Sequence, residues 1–320
     1  MVAARMTLPA GIHDIPAEVY HADALRPEVT LSSTVARLII NRSPLHAWTA
    51  HPRLNPDHDP TERKTFDIGR AAHRAVLGKG GDYVAYPSEI LASNGAASTK
   101  EAKAWARKQR ASGRVPLKAD ECDQVGAIAD AVNRRLTDMG ITLDPARSEL
   151  TALAEVDGVW CRAMIDTAPL NPRLPLYDFK TTEDASFEAI VRSVMTYGYD
   201  AQAAFYQSTW KAATGEDRRF RFVFVEKAPP YEVAVIELLD ASADVADWMG
   251  NARSKAQEAR RIWGECLVAN QWPGYPAKVG IIGAPGWHND RWASREIGLP
   301  VIPTKPTGEA LSAAAKWQAP

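Results

Sequence analysis

The residue pattern points to an α/β (α+β) chain in which a mixed central β-sheet is flanked by helices. Three strand-like runs follow one another in the middle of the chain, joined by short turns. A helix separates them from two further strands. Amphipathic helices precede and follow this block, so both faces of a sheet can be covered.

Taken in order, residues 1–60 are rich in Pro, His and Arg and contain one clear helix. Ser32 or Ser33 can cap it, Val35, Leu38 and Ile39 follow at helical spacing, and Ser43-Pro44 reads as its stop. A second helix is expected over about 65–77, ended by Gly78-Lys79-Gly80-Gly81. Residues 82–116 read as an exposed insertion, strand-like over 83–91 and a charged helix over 99–110. A longer helix over 119–138 sets Val125, Ile128, Val132 and Leu136 on one stripe.

The three consecutive strands fall at 149–156, 159–167 and 174–181. Asp157-Gly158 is a strong hairpin signal between the first two, and 168–173 makes the second turn. A helix over 200–214 follows, then strands over 219–226 and 231–239 split by Ala228-Pro229-Pro230, then a long helix over 240–270. From Trp272 the chain is Pro- and Gly-rich, and its end reads as loosely held.

Composition narrows the possibilities. With 320 residues, 46% hydrophobic and 24% charged, the chain can bury a sizeable core as an ordinary globular protein. Lys plus Arg (38) nearly balance Asp plus Glu (39), so a DNA enzyme here would need a local basic groove rather than a global field. Cys122, Cys161 and Cys266 are too few and too scattered for a disulfide framework, a zinc ribbon or a cluster. With no signal peptide and no apolar run near the ~20 residues of a membrane span, a cytoplasmic protein without membrane contact is expected.

The chemistry concentrates on the second and third strands. Asp166 stands near the end of one, and Asp178 and Lys180 on the next. Side chains two apart on a strand share a face, and an antiparallel hairpin can bring Asp166 alongside. Two carboxylates and a lysine make a hard oxygen site for Mg²⁺. An isolated Asp-x-Lys is ordinarily a surface ion pair, but these charges lie within strongly apolar strands, where an unpaired charge is costly to bury. Gly69-Arg70-Ala71-Ala72-His73 places a small residue one helical turn before a histidine, so the helix can approach a sheet while His73 reaches inward. Alone, such a histidine is more often a satisfied core residue. Gln202 and Tyr206 share a helical face, and Glu149 is either another carboxylate for the site or a solvated strand end.

In order, Gly69-x-x-x-His73, Asp166, Asp178-x-Lys180 and Gln202-x-x-x-Tyr206 resemble the motif series of the PD-(D/E)XK nucleases in their RecB-like branch. Tyr20-His21, Leu31-Ser32-Ser33 before Ser43-Pro44, the run from Ser98 to Lys103, and Trp272-Pro273-Gly274-Tyr275 resemble the RecE-type phage and prophage exonucleases, so the likeness spans roughly 11–290. Ile165 stands where that family name suggests proline, and the cysteines exclude the cluster-bearing subclass.

The resemblance implies a restriction-endonuclease-like core in one domain over 1–290, with a tail over 291–320. It implies Mg²⁺, with Mn²⁺ as a substitute, held by Asp166, Asp178, His73, Glu149 and the Phe179 carbonyl. Lys180 would orient the attacking water, and Gln202 and Tyr206 would steady Lys180 or the DNA backbone. The partners implied are double-stranded DNA ends, further copies in a trimer or tetramer ring, and a single-strand annealing protein in recombination. Arg37, Arg42, Arg70 and Arg74 are candidates for phosphate contacts. The rival readings are an endonuclease or single-strand repair nuclease of the same fold, a non-catalytic DNA-binding protein, and a Mg²⁺ hydrolase of small phosphate esters.

Overall fold

The computed structural model describes residues 6–58, 67–79, 82–241 and 247–284, with 286, 288, 289 and 292. The chain divides into two compact units, Met1–Gly274 and Tyr275–Pro320. The first carries every element below.

In chain order the elements are β1 (Gly11–His13), α1 (Ala17–His21), β2 (Leu31–Ser32), α2 (Ser33–Asn41), α3 (Pro44–Ala50) and α4 (Asp67–Leu77). Next come β3 (Tyr83–Ala85), α5 (Lys100–Ala111), β4 (Val115–Leu117), α6 (Ala119–Asp138), β5 (Ser148–Val156), β6 (Val159–Thr167) and β7 (Leu176–Thr182). The last are α7 (Phe187–Tyr197), α8 (Tyr199–Thr214), β8 (Phe220–Glu226), β9 (Val233–Ile236) and α9 (Trp248–Ala269).

Among the described residues, seven strands form a mixed sheet in the order β1-β5-β6-β7-β8-β9, with β2 paired to β6. The β5–β6 hairpin closes at Val156↔Val159 around Asp157-Gly158, as the turn residues predict. From β7 the chain crosses over through α7 and α8 and returns parallel, so that Asp178 lies beside Phe222 and Lys180 beside Phe224. Residues on β8 alternate strictly. Phe220, Phe222 and Phe224 enter the core with Phe205, Trp210 and Trp263, and Val223 and Val225 enter a second core with Ala72, Ile128 and Val132. Both faces are therefore buried, as expected for helices on each side.

Several expectations need correction. Ser43 does more than stop α2. Its hydroxyl lies 3.4 Å from the His46 N–H as the cap of α3, with Pro44 in the first turn. The strand expected over 83–91 covers only Tyr83–Ala85, because Pro87 lacks an N–H and leads into a 3₁₀ turn at Ser88–Ile90. It pairs with β4, which the pattern did not reveal. The helix expected from 200 begins at Tyr199, directly after an unforeseen α7. Gly198 at φ +64° separates the two, and a Cβ there would meet Asn41 Nδ2 at 3.1 Å and Arg37 Cδ at 3.2 Å. The strand expected over 231–239 is four residues long, and α9 starts at Trp248, capped by Asp247. The first residues expected of α4 and part of the stretch before α9 lie outside the described residues.

A buried ionic knot ties the N-terminal segment to the sheet. Asp23 is fully buried at φ +54°. Its Oδ1 accepts Thr30 Oγ1 at 2.5 Å and faces Arg162 Nη1 at 2.9 Å, while its Oδ2 accepts the Thr30 N–H at 3.1 Å. Arg53 (3.3 Å) and His51 (3.4 Å) approach the same carboxylate. Burial pushes the His51 imidazole down to about 4, so it is neutral at pH 7. Asp23→Ala strands the Arg162 guanidinium in the interior, and urea unfolding is expected to register a loss of about 3–5 kcal/mol. Asp23→Asn, which keeps an acceptor, loses less.

Candidate active site

The site lies where β6 and β7 part. These antiparallel strands share one register pair, Thr167↔Tyr177. Beyond it, a side chain replaces the strand ladder: Asp166 Oδ2 accepts the Phe179 N–H at 2.7 Å. Ile165 packs into the core beneath α8, whereas Phe179 packs into the core beneath α4 and α6. Polar groups thus reach this seam from both helical layers.

From α4 comes His73. Its Nε2 is 3.0 Å from the Phe179 carbonyl and 3.5 Å from Asp166 Oδ2. A Cβ on Gly69 would stand 3.3 Å from Thr181 Oγ1, so the small residue does let α4 lie close to β7. From α8 comes Gln202, whose Nε2 donates to Asp178 Oδ1 at 2.8 Å. Asp178 Oδ2 is buried against the Lys180 ammonium. Lys180 Nζ also lies 5.1 Å from the centre of the Tyr199 ring, within cation–π range.

The seam is nearly dry: Asp166 is 8% and Asp178 2% exposed. Burial, opposed by His73 and reinforced by Asp178, raises the Asp166 carboxyl from its ordinary 3.8 to about 6. Burial works against the Lys180 ammonium, but the Asp178 and Asp166 carboxylates outweigh it and the lysine is pushed up. Lys180 is therefore held protonated, suited to orienting and stabilising anions rather than accepting a proton.

The remaining predicted residues fall at the margin. Glu149 stands in the ladder between Ser148↔Thr167 and Leu150↔Ile165, thus across from Asp166, but at φ +49°. Burial raises its carboxyl, with His73, Lys79 and Arg74 opposing. Tyr206 is buried, packs edge-on against Phe220 at 5.9 Å, and is hydrogen-bonded to Ser33. Gln202 bonds Asp178 rather than Lys180, so it steadies the lysine through its partner. Of the arginines, Arg37 donates to the Tyr197 carbonyl at 2.6 Å and Arg74 pairs with Asp82 at 3.1 Å, while Arg42 and Arg70 are exposed. Tyr199 was missed, although Tyr199, Gln202 and Tyr206 lie on one helical face at i, i+3 and i+7.

The donors suit a divalent cation. His73 Nε2, Asp166 Oδ2 and the Phe179 carbonyl converge with separations of 3.0 and 3.5 Å. Neighbouring ligands of an octahedral ion at 2.0–2.1 Å stand about 3 Å apart. Among the described residues no three His, Cys, Asp or Glu side chains form a metal cluster. The converging set includes a carbonyl, and Asp178 is engaged by Lys180 and Gln202.

Residues 41–283 match a family described as a PDDEXK-like domain of unknown function (DUF3799). No curated protein matches the chain in sequence. Among solved structures, a candidate exonuclease from Eubacterium rectale is similar over 85% of this chain and 96% of its own, at 13% identity and a TM-score of 0.54. A phage-related exonuclease from Haemophilus somnus 129PT is similar over 67% of this chain and 98% of its own, at 12% identity and a TM-score of 0.31. The family match and the first likeness show a restriction-endonuclease-like fold. Among the described residues no helix is long and apolar enough to cross a membrane.

The raised Asp166 carboxyl fixes the sign of a pH effect in metal-free protein. Between about pH 4 and 6 the folded state holds a proton that the unfolded state has released, so Asp166 subtracts stability as pH rises through that window. Asp166→Asn, which can still accept the Phe179 N–H, is expected to melt higher than the parent in chelator at pH 7.5. The gain, up to about 3 kcal/mol, should shrink towards zero at pH 4.

Proposed function

The chain belongs to the PDDEXK-like family DUF3799, and from that membership and the seam we propose that it is a divalent-metal-dependent DNA nuclease. The observation that carries the reading is the convergence of His73 and the Phe179 carbonyl on the buried Asp166, with the Asp178–Lys180 pair beside it on β7. Buried charges are rare without a partner or a task; these have partners, and metal binding and hydrolysis are the task proposed for them.

Asp166, His73 and the Phe179 carbonyl would hold Mg²⁺, with Mn²⁺ as substitute, and Asp178 and Glu149 are the further carboxylates proposed to join them. When bound, the ion polarises the phosphate and acidifies a water. Lys180, kept as an ammonium by Asp178, orients the attacking water in line with the scissile bond and stabilises charge gathering on the phosphate. Gln202 fixes Asp178, and the Tyr199 ring confines the lysine, so little reorganisation remains for the reaction itself.

The finer proposal follows the RecE-type likeness. The substrate is linear double-stranded DNA, digested 5′→3′ to leave 3′ single-stranded tails for an annealing partner. A ring-like trimer or tetramer would keep a nearly neutral chain on its track by enclosure.

Chelator is expected to abolish digestion of a linear duplex, and Mg²⁺ or Mn²⁺ to restore it. Lys180→Ala should lower the cleavage rate by at least a hundredfold while duplex affinity stays within about twofold, because one cation among many phosphate contacts adds little. Asp178→Asn should lower both cleavage and metal affinity. Full activity in excess EDTA removes the metal assignment, and parent-like cleavage by Lys180→Ala removes the lysine. For the finer proposal, a duplex labelled at both ends should lose its 5′ label first, and light scattering should give a trimer or tetramer. Nicking of closed circles, trimming from 3′ ends or a monomer would contradict it.

A further inference from the structure

The Ser98–Lys103 motif takes no part in the seam; it opens α5. The exposed face of this helix carries Lys100, Lys103, Arg107 and Lys108, with Glu101 as its one acid and the small Ala104 and Ala111 among them. The opposite face buries Ala102, Ala106 and Gln109. Among the described residues none of the four cations has an acidic partner.

A merely solvated helix ordinarily alternates charge at i+4. Here Lys103 and Arg107 are four apart and Lys100 and Lys103 three apart, so like charges stack along one stripe. Lys100 and Lys103 also occupy the start of the helix, where the dipole favours anions. Thr99, whose hydroxyl accepts the Ala102 N–H at 3.0 Å, and Glu101 partly compensate. Both features cost the helix stability with no return inside the chain, and an anion lying along the face relieves both.

Arg114, also exposed, follows the end of α5. Its N–H bonds the Gln109 carbonyl at 3.0 Å, and its side chain joins Arg74, Gly78, Asp82 and Tyr83 in lining a cavity of about 490 Å³. Arg74, on the wall of that cavity, directly follows the seam's His73 on α4. Arg110 anchors α5 to the start of α4, holding both oxygens of Asp67 at 3.1 and 2.5 Å. From Lys100 to Arg107 the cations span about 10 Å of helix axis. A single phosphate or carboxylate would satisfy one of them; a duplex, with a charge about every 1.7 Å, meets them all.

We propose that the basic face of α5, continued by Arg114 and Arg74, is a track for the phosphate backbone of duplex DNA that holds the substrate beside the seam. The choice of DNA as the polyanion rests on the nuclease reading. The test is binding of a fluorescein-labelled linear duplex, in Ca²⁺, as a function of salt. Parent protein is compared with Lys100→Ala/Lys103→Ala/Arg107→Ala, with Arg114→Ala, and with Arg173→Ala on the β6–β7 loop as a control outside the track.

Each lost phosphate contact removes about 0.9 from the slope of log K against log salt. The triple variant should therefore lose about two to three units of slope and at least tenfold in affinity at low salt, Arg114→Ala about one unit, and Arg173→Ala none. Alanine favours helix, so the triple variant should melt like the parent. Should it fail to fold, Arg107→Ala and Arg114→Ala carry the test singly. Parent-like slope and affinity in folded variants overturn the track, as does a parent that binds anionic phospholipid vesicles but not duplex. A parent that binds duplex through these residues yet never cleaves it in Mg²⁺ leaves the track standing and removes the nuclease reading.

Discussion

One hydrogen bond organises this molecule around its chemistry: the Phe179 N–H donated to the Asp166 carboxylate. Antiparallel strands normally satisfy facing N–H groups from backbone carbonyls, and a buried N–H left unpaired costs on the order of 1–3 kcal/mol. Here β6 and β7 separate after one register pair, and a side chain supplies the missing acceptor. Because it does, a carboxylate is fixed inside the sheet, the Phe179 carbonyl stays free for His73, and the gap admits the Asp178–Lys180 pair. The perturbed Asp166 and Lys180 both follow from charge confined in that seam.

Holding two buried carboxylates against a half-buried histidine and lysine demands rigid surroundings. Arg162, four residues before Asp166 on the same strand, is locked by Asp23 and Thr30, and the Tyr20 hydroxyl lies 3.4 Å from its carbonyl. Beneath Lys180, Tyr199, Phe222 and Phe224 form an aromatic floor with ring centres 5.7 to 6.0 Å apart. The N-terminal segment thus serves the site at a distance, by holding the strand that presents Asp166.

Much of this was legible in the residues. Asp157-Gly158 fixed a hairpin, strand-like apolar runs between turns marked β5 to β8, and charges inside those strands singled out Asp166, Asp178 and Lys180. Gly69 before His73 signalled a close helix approach, and a Cβ there does meet Thr181. What stayed hidden was set by tertiary partners. β1, β2 and β4 have two or three residues each and exist because a neighbouring strand pairs with them. Ser43-Pro44 is ambiguous because the same pair that ends one helix caps the next. Tyr199 follows the Gly198 turn, and nothing local distinguishes it from an ordinary core aromatic until Lys180 is placed over its ring.

Crystals soaked in Mn²⁺ and measured for anomalous scattering address the seam most directly. A peak is expected at the point shared by Asp166 Oδ2, His73 Nε2 and the Phe179 carbonyl, at ligand distances of about 2.1–2.3 Å, and its loss in Asp166→Asn. No peak at millimolar Mn²⁺, or one elsewhere that survives Asp166→Asn, would contradict it: the acids would then be structural partners of His73 and Lys180, and the seam would not be the site of hydrolysis.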